Sequence, residues 1–102
     1  MKELQNKVLV WANDKKLLSP NNTANQLDKF TEETAELEIE VNLLLKGESK
    51  LEFAQMELGD VLVTLTILAK QLNTDLESCL QMAYDKIKVR KGKTINGTFI
   101  KH

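Results

Sequence analysis

Apolar positions recur at helical spacing in four stretches of the chain, and short polar runs separate them. The pattern predicts helices over 2–13, 24–46, 50–71 and 75–91, joined by "DKKLLSPNNT", "KGES" and "LNT". Lys46-Gly47 supplies the stop of the second helix. Thr23-x-x-Gln26, Ser49-x-x-Glu52 and Thr74-x-x-Glu77 have the form of capping boxes, in which a hydroxyl and an acid or amide satisfy each other's free backbone N–H. In the tail "GKTINGTFIKH", Ile95 and Phe99-Ile100 flank Asn96-Gly97, the strongest short hairpin signal. With no internal repeat and short loops, the expected fold is all-α. It is a single domain over 1–102, a four-helix antiparallel bundle ending in a short hairpin or extended arm.

The second helix carries "TEETAELEIE", with five glutamates in ten positions. On a helical wheel Leu27, Phe30, Thr34, Leu37, Val41, Leu44 and Leu45 form the stripe expected to be buried. Glu33, Glu36 and Glu40 make a row beside it. Glu32 lies a step further out, and Glu38 borders the opposite edge, where its carboxylate reaches water. The third helix is more demanding. Phe53, Ala54, Val61, Leu65 and Leu68 surround Glu57, and Asp60 stands between Phe53 and the side holding Ile67 and Met56. An isolated buried carboxylate costs several kcal/mol, so Glu57 must be protonated, paired or bound to a metal.

Both helices repeat one spacing, Glu33-x-x-Glu36 and Glu57-x-x-Asp60, and residues three apart share a helix face. Two such pairs facing each other would bring four carboxylates together, a repulsive arrangement unless a divalent cation lies between them. An all-oxygen ligand set suits Mg²⁺ or Mn²⁺ rather than zinc. A di-iron carboxylate bundle would use Glu-x-x-His motifs, but the single histidine is His102. The competing reading is a solvated acidic face with core-edge acids paired to lysines. The repeated spacing in apolar surroundings weighs against it.

Composition changes this picture only locally. The chain has 102 residues, is 42% hydrophobic and 28% charged, and has a net charge of −1, so nothing global points to a nucleic-acid polymer or a membrane surface. Residues 28–60 hold ten acids against three lysines, a balance of −7, whereas residues 85–102 hold one acid against six bases, a balance of +5. These halves either pair with each other or build a site needing both signs. Lys86 and Arg90, four apart on the fourth helix, are suited to phosphate oxygens, and the alternative is solvation or surface pairing. "GKT" at 92–94 is not a phosphate-binding P-loop, because the required earlier glycine is Ile87. Trp11 reads as a core or interface anchor with base stacking as its alternative, Cys79 as a small core residue, and Met56 and Met82 as core filler. A lone cysteine, no apolar core of signal-peptide length and no apolar run of ~18 residues give a cytoplasmic expectation.

"EETAEL" followed by "ELGDVL" resembles the E-E-x-x-E…E-x-x-D signature of the MazG-like all-α nucleoside triphosphate pyrophosphohydrolases. "YDKIKVRKGK" is similar to that family's K-x-x-x-R element, and "RKGKTINGTFIKH" to the end of its small members from Gram-positive bacteria and their phages. The resemblance runs from about Trp11 to the end of the chain. It implies a helical homodimer or homotetramer that splits nucleoside triphosphates into monophosphate and pyrophosphate with Mg²⁺. Carried over, it makes Glu33, Glu36, Glu57 and Asp60 metal ligands, with Glu32 and Glu33 as catalytic carboxylates and Glu32 the candidate for orienting water. It makes Lys86 and Arg90 phosphate contacts, and Trp11 and Lys29 join them as substrate-binding candidates. Members often carry Asn two residues before that lysine, where this chain has Tyr84. The rival expectation is a non-catalytic oligomerisation module whose acidic face is salt-bridged to the basic tail.

Overall fold

The computed structural model describes all residues, 1–102. Four helices are present, α1 (Lys2–Asp14), α2 (Thr23–Leu45), α3 (Leu51–Gln71) and α4 (Leu76–Ile87). A 3₁₀ turn at Pro20–Asn22 precedes α2, and β1 (Gly92–Ile95) pairs with β2 (Thr98–Lys101). The chain is thus mostly helical with a small two-stranded hairpin, as the periodicity predicts. No helix is long and apolar enough to cross a membrane.

The helix stops follow local chemistry. At Gly47, φ is 74°, and the N–H groups of Gly47 and Glu48 return to the carbonyls of Leu44 and Leu43, closing α2 with its last carbonyls satisfied. Lys16 and Asn73 take the same left-handed position after α1 and α3. Asn96 and Gly97 have φ of 50° and 80°, the two-residue turn whose twist matches paired strands. Gly92 sits opposite Lys101 under the Phe99 ring, where a Cβ would collide with that ring and the Ile100 carbonyl.

The helix starts differ from the capping boxes. Asn22 precedes α2, the Thr23 hydroxyl turns back to the Pro20 carbonyl, and the Gln26 amide donates across to the Thr64 carbonyl of α3 at 3.0 Å. Ser49 donates to Glu40 Oε2 at 2.8 Å instead of capping α3. Asp75, not Thr74, caps α4 by accepting from Ser78 N at 2.8 Å. In each case a tertiary or shorter-range partner outcompetes the boxed one. The fourth helix also ends at Ile87 instead of 91, because the chain must be extended from Gly92 onward to pair with β2. Lys86 therefore lies in its last turn and Arg90 beyond its end.

The α2–α3 hairpin carries most of the tertiary contact, α1 lies against α3, and α4 touches α3 over a small area. Buried apolar residues are few and mostly small: Ala12, Ala54, Ile67 and Ala69. Gln26, Glu33, Thr64, Thr66 and Gln71 are buried beside them. Phe30, Leu37, Val41 and Leu44 are half-buried as the stripe predicts, whereas Leu27 and Leu45 are exposed. Cys79, Met56 and Met82 are exposed as well, contrary to their reading as core. Periodicity marks an apolar face, but α4 and the first half of α3 find too little of their own chain to cover it.

Candidate metal centre

Three of the four expected ligands meet. One carboxylate oxygen each from Glu33, Glu36 and Glu57 lies within 4.8 Å of the others. α2 supplies the first two, one helical turn apart, and α3 packs antiparallel beside it to bring up Glu57. The buried Gln26–Thr64 hydrogen bond ties the two helices seven residues before Glu33 and seven after Glu57. Gln26 is two turns from Glu33 on the same face, so its periodicity was visible in the sequence, while its partner was not.

The burial is graded. Glu33 is 7% exposed, Glu57 is half-buried and Glu36 is exposed. Glu33 Oε1 pairs with Lys29 Nζ at 3.1 Å, but Glu33 Oε2 and Glu57 Oε2 are buried with no hydrogen-bond partner. Buried carboxylate oxygens left unpaired are costly, and a hard divalent cation would satisfy both. The donor set is entirely oxygen and the residues therefore fit Mg²⁺ or Mn²⁺. The Glu36 carboxyl is held above the usual carboxylate range, first by the charge of Glu33, then by burial and by the charge of Glu57. Lys29 is raised above the ordinary lysine value, chiefly by its hydrogen bond to Glu33 and then by the charge of Glu32.

The remaining candidates fall into two groups. Trp11, Lys29, Glu33 and Asp60 line one cavity of roughly 490 Å³, with Asn22 and Asn25 at its wall. Asp60 is exposed there and stands outside the three-carboxylate cluster. Glu32 is exposed and 3.7 Å from Lys29. Trp11, 51% exposed, is a wall of this cavity rather than a core anchor. Lys86 is exposed and Arg90 half-buried, and neither lines the cavity nor pairs with an acid of its own chain. Lys88 pairs with Asp85 at 3.0 Å, so the basic tail does not neutralise the acidic face within one chain. Asn22 and Asn25 carried no sequence signal, since only the fold sets the start of α2 beside Trp11. Compared with known proteins, the chain matches no family model, no curated protein and no solved structure.

Proposed function

We propose that the protein is a Mg²⁺-dependent nucleotide pyrophosphohydrolase, cleaving nucleoside or deoxynucleoside triphosphates to the monophosphate and pyrophosphate. The observation that carries this reading is the cluster of Glu33, Glu36 and Glu57 with two unpartnered buried oxygens, of which Glu33 also lines the cavity walled by Trp11 and Lys29. Glu33, Glu36 and Glu57 would hold the cation, and Asp60 lines the cavity that Glu33 also faces. When bound, a divalent cation supplies neutralisation of the triphosphate and activation of water. Lys29 fixes Glu33 in place and offers its ammonium to a phosphate oxygen. The Trp11 ring provides a face for the base. Glu32, turned outward beside Lys29, orients the attacking water.

The test is release of pyrophosphate from a panel of triphosphates with Mg²⁺, together with a thermal melt in the same ion. Turnover and a rise in melting temperature with Mg²⁺ are expected, because a ligand that binds only the folded state stabilises it. A melt unmoved by Mg²⁺ would instead favour a non-catalytic oligomerisation module. A Mg²⁺-stabilised protein that cleaves no triphosphate would keep the metal centre and sink the substrate.

A further inference from the structure

Two side-chain hydrogen bonds join distant parts of the chain, and both come from buried glutamines donating to backbone carbonyls. Gln26 of α2 reaches the Thr64 carbonyl at 3.0 Å, and Gln71, the last residue of α3, reaches the Leu17 carbonyl at 2.8 Å. Gln26, Thr64 and Leu17 all line the acidic cavity, so both long-range bonds end on its walls. Gln71 itself is 4% exposed and does not line the cavity. Its Nε2 is engaged, while its Oε1 is buried with no hydrogen-bond partner. A buried, half-satisfied amide is costly, and an apolar side chain of similar size would fill the same space without that cost. What the amide adds is direction, a hold on one particular carbonyl.

That carbonyl has a definite place. Asp60, Thr64, Ile67 and Gln71 follow one another at spacings of four, three and four and share one face of α3. The first three line the cavity, and the fourth, one turn further on, holds the loop that closes it. Gln26 lies level with Thr64 and the two helices are antiparallel, so the cavity has two ends. Glu33 and Asp60 mark one end, and Leu17, Asn22 and Ile67 the other. The loop from Lys15 to Ser19 is otherwise tied only to its own neighbours. Leu17 N donates to the Ala12 carbonyl at 2.9 Å, and Asn22 Nδ2 to the Lys16 carbonyl at 3.4 Å. Gln71 supplies the one hydrogen bond between this loop and the helix that carries Glu57 and Asp60.

We propose that Gln71 is a positioning residue for the sugar and base of the bound nucleotide, acting through the Leu17 carbonyl to hold the far wall of the cavity at a fixed distance from α3. The role rests on the nucleotide reading, in which the phosphates occupy the carboxylate end and the nucleoside the loop end. Loss of the hold loosens the grip on the nucleoside and leaves the chemistry at the carboxylates unchanged.

Trp11 is the only tryptophan and lines the same cavity, so its fluorescence reports occupancy without turnover. Gln71→Met keeps the length of the side chain and removes the donor. With Mg²⁺ and α,β-methylene analogues of the common deoxynucleoside triphosphates, the variant should bind about tenfold more weakly, the scale of one lost hydrogen bond with its partner left buried. In turnover, KM should rise by a similar factor while kcat holds. The rise in melting temperature with Mg²⁺ and inorganic triphosphate, which has no sugar or base, should match wild type. Unchanged analogue affinity overturns the role, as does an equal loss of affinity for inorganic triphosphate, which a merely structural residue would give. If Gln71→Met fails to fold, the wild type answers instead. Coupling is reciprocal, so the bound analogue should slow solvent exchange of the Gln71 side-chain amide protons about tenfold. Exchange unmoved by the analogue overturns the role. A wild type whose Trp11 fluorescence responds to no triphosphate sinks the nucleotide reading and this role together, whereas normal binding by Gln71→Met sinks the positioning role alone.

Discussion

Glu57 is the residue on which the site turns. Its neighbours on α3 predicted that it faces apolar surroundings, and its half-buried side chain with an unpartnered oxygen agrees. On the proposed function, Glu57→Gln should remove the Mg²⁺-dependent rise in melting temperature and lower turnover by ~100-fold or more, since it deletes a proposed ligand. Glu36 gives a pH test in ion-free protein. Its folded pKa is raised, so the folded state holds that proton more tightly than the unfolded chain does. Its contribution to stability is therefore greatest below the ordinary carboxylate range and is lost as pH rises through the raised value. Melting temperature in chelator should fall over that window, and Glu36→Gln should flatten the fall and abolish the Mg²⁺ response at neutral pH. The row of Glu33, Glu36 and Glu40 was legible from periodicity, but their different fates were not. Ser49 claims Glu40 through the α2–α3 turn, whereas Lys29 claims Glu33 from one helical turn away.

Among the elements, α2 and α3 are the most fully written in local sequence, through their length, apolar stripes and the Gly47 stop. The third turn of the chain is less so. Asp75 caps α4, and hydrogen bonds from Ser78 hold its carboxyl below the usual carboxylate range. Such a group stabilises the fold above the ordinary carboxylate pKa, and that support is lost as pH falls through the lowered value. Asp75→Ala should reduce α4 helicity at neutral pH, and its difference from wild type should shrink in acid, as followed by circular dichroism. The hairpin depends on Gly92 because Phe99 crosses it. Gly92→Ala should cost the hairpin ~1–3 kcal/mol through overpacking. Amide exchange would show lost protection over 92–101 with α2 and α3 unchanged.

Over the whole molecule, α4 keeps an exposed apolar stripe, and neither Lys86 nor Arg90 pairs with an acid of its own chain. On the homodimer expectation, if Arg90 completes the site of the other copy, Glu57→Gln and Arg90→Ala proteins are each inactive alone but complement when mixed. Random pairing makes half the dimers mixed, each with one intact site, so about a quarter of wild-type turnover should return. A site built within one chain would recover none.

Local sequence by itself determined the helix count, the Gly47 stop, the hairpin and the carboxylate faces, because these rest on periodicity, backbone geometry and spacing within a few residues. Tertiary structure alone decided that three carboxylates meet while Asp60 stays at the rim. It also decided that the boxed hydroxyls take other partners, that α4 stops at Ile87, and that Trp11, Asn22 and Asn25 wall one cavity. Each of these depends on where a distant segment arrives, which no short window of sequence encodes. An apolar stripe declares that something must cover it, and only the packed chain reveals that α4 is left without a cover of its own.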